Sequence, residues 1–162
     1  MKNYRGKEKL AKDIYKYPKT IDNPDIFDME TLVKVDFNVP TCPINASEFL
    51  RITYDLLHGR RPVIAQRSVC YECQRRGYPC ILMKGEPCMG PIILGGCGAI
   101  CLKSRMPCEA CRGPYEGANF KSHFKLIDKM VGKERREEIL EIFGVKDKIE
   151  KTMKSLNQKN KK

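Results

Sequence analysis

Eight of the nine cysteines in this chain lie close together and are its strongest chemical signal. A C-x2-C loop lets two sulfurs converge on one metal centre while backbone N–H groups point at them, and this geometry serves zinc and iron–sulfur clusters alike. The spacing therefore predicts bound metal but leaves its identity open. The eight follow one another as Cys70-x2-Cys73-x6-Cys80-x7-Cys88-x8-Cys97-x3-Cys101-x6-Cys108-x2-Cys111.

Glycine and proline crowd these cysteines and favour iron–sulfur clusters over zinc. Gly95 and Gly96 precede Cys97, Gly98 follows it, and glycine lets the backbone approach a bulky cluster closely. Zinc ribbons usually pair two C-x2-C knuckles about 15–20 residues apart, whereas four cysteines separate the two C-x2-C pairs here, and residues 68–117 contain no histidine. No periodic secondary structure is expected over 68–117, so metal–thiolate bonds would supply its ordering energy.

The cysteine count and the first residues of the chain indicate the cellular compartment in which the protein is expected. Nine is an odd number, and no apolar stretch follows Met1, where a secretory signal would have one. Clustered cysteines without a disulfide framework are typical of reducing compartments, so a cytoplasmic location is expected. No run approaches the roughly 20 apolar residues of a membrane-spanning helix, so no membrane span is expected.

The formal net charge of +11 suggests a nucleic-acid partner. Two four-iron clusters, each at about −2 with its thiolates, would reduce this charge to about +7. A zinc-stapled basic module that contacts nucleic acid is the alternative class, and it would need exposed aromatic residues among its lysines and arginines. Tyr71 and Tyr78, near Arg75 and Arg76, are the only such sign, so no nucleic-acid partner is expected.

A helix is predicted just before the cysteine-rich segment. Asn45 is a good N-cap, and Glu48 follows three residues later, as in a capping box. Apolar residues then recur at helical spacing over 46–58, and Gly59 supplies the stop. His58 lies at the end of this helix, where it is expected to cap carbonyls rather than to bind metal.

Further elements are predicted on both sides of this region. Valine and phenylalanine alternate with polar residues over 31–39, which predicts a strand with one buried face. Helical periodicity returns over 119–158 and predicts three helices, the second of which is stopped by Gly144.

Five short motifs within residues 33–117 carry a family resemblance. They are Cys42-Pro43 after the predicted strand, Val69-Cys70-x2-Cys73, the run Lys84-Gly85-Glu86-Pro87-Cys88-Met89-Gly90-Pro91, Gly96-Cys97-Gly98-Ala99, and Cys108-x2-Cys111-Arg112-Gly113-Pro114. Together they resemble the carboxy-terminal half of a [NiFe]-hydrogenase small subunit. The cytoplasmic kind is the most similar, namely the sulfhydrogenase delta subunit and the small subunit of methanogen viologen-reducing hydrogenase. The same superfamily includes the 20-kDa subunit of respiratory complex I.

The resemblance implies two [4Fe–4S] clusters and one further ligand. In the periplasmic enzymes a histidine stands at the position of Cys70. Those enzymes also lack the counterpart of Cys101 and carry a three-iron centre there. Because this chain has four cysteines for each cluster, the resemblance implies four irons in each. Cys42 matches the last ligand of a proximal cluster near the nickel site, which would be shared with another chain. The implied distal ligands are Cys70, Cys73, Cys80 and Cys88, and the implied medial ligands are Cys97, Cys101, Cys108 and Cys111.

The resemblance also implies partners. A full small subunit begins with a flavodoxin-like domain that supplies three more proximal cysteines, but residues 1–41 contain none. A separate polypeptide carrying that domain is the favoured interpretation, and an absent proximal cluster or a truncated product are the alternatives. Because all nine cysteines are assigned, the nickel–iron site would lie on a large subunit, and a flavin or iron–sulfur subunit would accept the electrons.

The chain is expected to have no active site of its own, because no acid–base or phosphate-binding motif is recognisable. The resemblance implies an electron-transfer subunit of a cytoplasmic [NiFe] hydrogenase, an oxidoreductase acting on hydrogen. A complex-I-like electron-transfer subunit is an alternative, against which the two extra clusters count. Six basic residues are candidates for docking the electron acceptor or for raising the reduction potentials of the clusters, and the alternative is that they are ordinary solvent-exposed charges. They are Arg75, Arg76, Lys84, Lys103, Arg105 and Arg112.

The expected fold is α+β. A short strand–helix unit precedes an irregular two-cluster iron–sulfur domain and carboxy-terminal helices, whose exposed faces would dock on partner subunits. The expected divisions are a polar arm or connector (1–30), a strand–helix remnant of the amino-terminal domain (31–67), the two-cluster domain (68–117), and a helical extension with a basic tail (118–162).

Overall fold

The computed structural model describes residues 12–14, 16–17, 29–40, 42 and 44–159. The chain divides into two compact units, Met1–Asn38 and Val39–Lys162. Most of the expected polar arm and the last three residues of the basic tail lie outside the described residues. Within the described residues the second unit contains the α-helices α1 (Ala46–Leu57), α2 (Val69–Arg75), α3 (Ile100–Lys103), α4 (Phe120–Ile142) and α5 (Lys146–Lys159).

The described part is mostly helical, and the strand expected over 31–39 is wrong. Residues 29–31 form a 3-10 turn, and the backbone N–H groups of Leu32 and Val33 close it on the Met29 carbonyl at 3.0 and 2.9 Å. Val33 and Val35 are 53% and 38% exposed. A strand needs neighbouring strands that pair with it, and the described residues contain isolated β-bridges but no β-strand. The α+β class is therefore corrected to a mostly helical fold.

Helix α1 begins and ends as its sequence predicts. The Asn45 side chain accepts a hydrogen bond from the Glu48 N–H at 3.1 Å, and Gly59 has a φ of +65° just beyond the last turn. The His58 Nδ1 lies 2.8 Å from the Tyr54 carbonyl oxygen, which confirms the capping role of this histidine. The capping box is only half formed, because the Glu48 carboxylate turns away from Asn45 toward an ion pair described below.

Segment 92–95 runs through the middle of the cysteine-rich region and orders it. Its backbone binds residues 67–69 on one side, where Val69 N–H donates to the Ile93 carbonyl at 2.9 Å. On the other side, Leu94 N–H donates to the Gly113 carbonyl at 3.0 Å. Ile93 is fully buried, so this segment joins the cysteine-bearing loops to the hydrophobic core.

The carboxy-terminal helices complete that core. Ile127, Leu140 and Ile149 of α4 and α5 are buried in the same cluster as Met89, which follows a cysteine directly. The first two of the three predicted helices are the two segments of α4, which meet at the non-helical residue Gly132, and the third is α5. No helix in the described ranges has both the length and the apolar composition that crossing a membrane requires.

Helix α4 is kinked at Gly132, which has a φ of 82° and a ψ of 161°. These angles lie in a region that only glycine adopts readily, and a Cβ there would meet no other atom within 4 Å. Gly132→Ala is therefore expected to lower stability by about 1–3 kcal/mol through backbone strain. Helix propensity alone predicts the opposite sign, a gain of about 1 kcal/mol. Thermal unfolding of the two proteins distinguishes these outcomes, and a raised midpoint would show that the kink is dispensable.

Candidate metal centre

Short helices present several of the cysteines, although no periodic structure was expected there. Helix α2 has its N-cap at Ser68 and carries Cys70 and Cys73, so the x2 spacing places both thiols within one turn. Helix α3 carries Cys101 and begins after Ala99, which adopts a left-handed conformation (φ 53°). Helices this short are too brief to show hydrophobic periodicity, which is why sequence patterns missed them.

The first sulfur group consists of four cysteines that lie near one another: Cys70, Cys73, Cys80 and Cys88. Burial raises the pKa of the Cys70 thiol to about 12, and the nearby Cys88, Cys73 and Cys80 thiols add to the shift. Burial also raises the pKa of Cys88, while the backbone N–H groups of Cys108 and Gly90 act in the opposite direction. Cys80 is exposed, so one edge of this group reaches the surface.

The second sulfur group brings together the other four: Cys97, Cys101, Cys108 and Cys111. Burial raises the pKa of the Cys108 thiol well above its usual value, and the Ala110 N–H partly offsets this. The pKa of Cys111 is raised by burial and by Cys97 and Cys101. Elevated pKa values in both groups mean that the thiolate forms would need positive charge nearby, which metal ions supply.

A direct hydrogen bond joins the two groups. The backbone N–H of Cys108, in the second group, donates to the Cys88 sulfur of the first at 3.3 Å. The Met89 N–H donates in return to the Cys108 carbonyl at 2.9 Å. A covalent and hydrogen-bonded route therefore runs from one group to the other through buried backbone.

Cys42 lies at the edge of the second group. It is exposed, and it lines a cavity of ≈ 50 Å³ together with all four cysteines of that group. Its backbone N–H lowers the pKa of Cys111, opposing the effect of burial on that thiol. The structure therefore places five thiols, not four, around this part of the molecule.

The residues present fit iron–sulfur clusters. A Cβ at Gly90 would lie 3.3 Å from the Cys70 sulfur and 3.5 Å from the Cys88 sulfur, so glycine leaves that space open. Backbone N–H groups that point at thiolates are the donors by which proteins tune such clusters. Within the described residues no three Cys, His, Asp or Glu side chains converge closely enough to hold a single metal ion. A cubane does not require this, because each thiolate binds a different iron.

Two carboxylates, one buried and one half-buried, have partners far along the chain that sequence reasoning did not predict. Glu72 lies between Cys70 and Cys73 on α2 and is 8% exposed, and it accepts hydrogen bonds from the N–H groups of Gly96 and Gly98. Its position inside a C-x2-C loop was visible in the sequence, but its partners, 24 and 26 residues away, were not. The second carboxylate belongs to Glu48 of α1.

Arg112 is the partner of Glu48. Its guanidinium donates to both carboxylate oxygens at 2.8 and 2.9 Å, and its side chain is completely buried. This excludes Arg112 from the expected set of acceptor-docking residues. The other five expected basic residues are exposed: Arg75, Arg76, Lys84, Lys103 and Arg105.

His123 is a further residue that sequence reasoning missed. It lies on the buried face of α4 between Phe120 and Ile127 and is 6% exposed, and its buried Nε2 atom has no hydrogen-bond partner among the described residues. Burial lowers the pKa of its imidazole. Its helical spacing from two core residues was the available signal, since it places the ring on the face that packs under the cysteines.

Known proteins similar to this chain include subunits of hydrogenases. The chain is 35% identical over 113 residues to the delta subunit of sulfhydrogenase 2 of Pyrococcus furiosus, covering 69% of this chain and 48% of that protein. It is 29% identical over 103 residues to a vhu subunit of the F420-non-reducing hydrogenase of Methanocaldococcus jannaschii, covering 52% and 36%. It is 25% identical over 114 residues to the iron–sulfur subunit of the F420-non-reducing hydrogenase of Archaeoglobus profundus, covering 53% and 36%.

These relatives are subunits of hydrogenases, which are oxidoreductases, and one is named as an iron–sulfur subunit. The similarity supports a hydrogenase-associated subunit and is consistent with electron transfer in a hydrogenase complex. The chain spans less than half the length of these three relatives. No known family model matches it.

Proposed function

We propose that this chain is the electron-transfer small subunit of a cytoplasmic [NiFe] hydrogenase and holds two [4Fe–4S] clusters. Cys70, Cys73, Cys80 and Cys88 bind the distal cluster, and Cys97, Cys101, Cys108 and Cys111 bind the medial one. The observation that carries this proposal is the assembly of eight thiols in two groups, joined by the hydrogen bond from Cys108 N–H to the Cys88 sulfur. Similarity to hydrogenase subunits supports it.

The clusters supply one-electron redox chemistry when bound, and the chain supplies their surroundings. Cys108 of the second group is buried and the other three cysteines of that group are half-buried, which limits the access of water to them, whereas exposure at Cys80 opens the first group to a redox partner. Backbone N–H groups directed at Cys88 and Cys108 stabilise added negative charge, so they raise the reduction potential. The protein moves electrons and has no active site of its own.

The proposed partners are those that would complete such a hydrogenase around this chain. A nickel–iron large subunit carries the active site, and another polypeptide carries the flavodoxin-like domain of the small subunit. Cys42, exposed beside the second group, contributes one ligand to a proximal cluster shared with that polypeptide. A flavin or iron–sulfur subunit accepts electrons at the first group, where Arg75 and Arg76 are exposed.

Hydrogen-dependent reduction tests this role. In a complex purified anaerobically with its partner chains, hydrogen is expected to reduce the clusters of this chain, seen as bleaching of their visible absorption and as EPR signals. The control is the same complex with the large-subunit active site inactivated, which should bleach with dithionite but not with hydrogen. Clusters that reduce with dithionite and never with hydrogen in the active complex would contradict a hydrogenase role.

A further inference from the structure

Within the described part of the chain, Glu72 is the one buried carboxylate that touches elements of both sulfur groups. It lies on α2 between Cys70 and Cys73 of the first group. Its two oxygens accept hydrogen bonds from Gly96 N–H at 2.7 Å and Gly98 N–H at 2.8 Å, the residues on either side of Cys97 in the second group. The carboxylate therefore fixes a ligand loop of one group to the ligand helix of the other.

The surroundings of Glu72 leave little freedom for this bridge. A Cβ at Gly95 would lie 3.3 Å from the Glu72 carboxyl carbon and 3.1 Å from the Ser68 carbonyl oxygen, so the loop packs directly on the start of α2. Gly96 and Gly98 have φ values of +120° and +69°, which glycine adopts without strain. The glycines thus let both backbone N–H groups turn toward one carboxylate.

The charge of Glu72 is only partly compensated. The Arg67 guanidinium donates to the Oε1 atom at 3.3 and 3.2 Å, but the Arg67 side chain is 45% exposed and its own charge is shared with solvent. Glu72 is 9% exposed at its side chain, so its negative charge acts through protein rather than through water. A buried negative charge disfavours the addition of an electron nearby.

We propose that Glu72 is a positioning residue that sets the reduction potentials of the two clusters. It holds Cys97 in register with Cys70 and Cys73, and it engages two N–H groups that would otherwise be free to bind cluster sulfurs. The negative charge of Glu72 lowers the reduction potentials of the clusters, and so does its binding of the two glycine N–H groups. The proposal rests on the proposed function, since it requires clusters on both cysteine groups.

Glu72→Gln separates charge from shape. Glutamine keeps the volume but has one acceptor oxygen in place of two, so one glycine N–H loses its partner. EPR-monitored redox titration of the holoprotein is expected to show a raised midpoint potential for at least one cluster. The expected shift is at least tenfold in the ratio of reduced to oxidised cluster at fixed potential, or about 59 mV. The matched control is Glu86→Gln, because Glu86 is exposed and lies two residues before Cys88.

Iron and sulfide content distinguish the possible outcomes. A wild-type protein without iron and sulfide would contradict the proposed function itself. Two clusters in the wild type, with equal potentials in Glu72→Gln, Glu86→Gln and wild type, would overturn only the role of Glu72. If Glu72→Gln loses iron, Glu72→Asp is expected to retain most of it, because aspartate keeps the charge and one of the bonds. Equal iron loss from both variants would also contradict the proposal.

Discussion

Cys108→Ala is expected to remove about four of about eight irons from the holoprotein, leaving the first cluster in place. Cys108 is buried at 7% exposure and belongs to the second group, so the substitution removes the buried thiolate that would bind one iron of that cluster. The first group keeps its four thiols, and the backbone N–H that reaches Cys88 is unchanged by the substitution. Iron and acid-labile sulfide per chain, with the EPR signal of the remaining cluster, measure this loss.

Cys42→Ala is the matched control for this substitution. Cys42 lines the same cavity as Cys108 but is exposed, and it is proposed to serve a cluster shared with another chain. The isolated Cys42→Ala protein should therefore keep all of its iron. If it lost as much iron as Cys108→Ala, the second cluster would be held by a different set of four thiols. Full iron in Cys108→Ala would contradict the ligand assignment.

Glu48→Ala is expected to have the largest effect on stability. It leaves the completely buried Arg112 guanidinium without a charge partner, which typically costs about 3–5 kcal/mol. For a chain of this length, that loss lowers the unfolding midpoint by roughly 6–20 °C. Thermal unfolding of the holoprotein under anaerobic conditions measures it, with cluster loss followed in the same experiment.

Two further variants make the stability test specific. Arg51→Ala removes an exposed ion pair with Asp55 on the same helix, at 3.6 Å, and should cost only about 0.3–0.5 kcal/mol. The double variant Glu48→Leu with Arg112→Met removes both charges and should recover much of the stability lost by Glu48→Ala. If the unfolding midpoint of Glu48→Ala fell no further than that of Arg51→Ala, the Glu48–Arg112 pair would contribute little to stability.

The Glu48–Arg112 pair also explains why Gly96 is glycine. A Cβ at Gly96 would collide with the Arg112 guanidinium and would lie 3.0 Å from the Glu48 Oε1. The Asn45 side-chain amide donates to the Gly96 carbonyl at 3.3 Å. The N-cap of α1, its first-turn carboxylate and the residue after Cys111 therefore all converge on the loop that carries Cys97.

Sequence patterns correctly predicted the helix ends, because these depend on interactions between residues close together in the chain. The Asn45 cap, the His58 cap and the Gly144 stop depend on atoms within a few residues, and each is found in the structure. The strand over 31–39 failed because alternation indicates a possible buried face but not a pairing partner. Valines within that stretch remain exposed instead.

The contacts that shape the candidate site connect residues far apart in the chain. Glu48 and Arg112 are 64 residues apart, and Glu72 is 24 residues from Gly96. No periodicity or short motif encodes such pairs. The division of the eight cysteines into two groups of four is implied by the family resemblance and stays a prediction. Cysteine spacing alone predicts only bound metal, because a C-x2-C loop constrains its own sulfurs locally. It did not predict that the first-group sulfur of Cys88 would accept a bond from Cys108.

The amount of iron, acid-labile sulfide and zinc per chain in anaerobically purified protein tests the proposed pair of clusters most directly. Two cubane clusters predict about eight irons and about eight sulfides attributable to this chain, with no stoichiometric zinc. About four more irons, lost on Cys42→Ala in the complex with partner chains, would place a shared proximal cluster at Cys42. Stoichiometric zinc without sulfide would contradict the central claim, because it would make the eight cysteines a zinc-binding framework and not an electron-transfer relay.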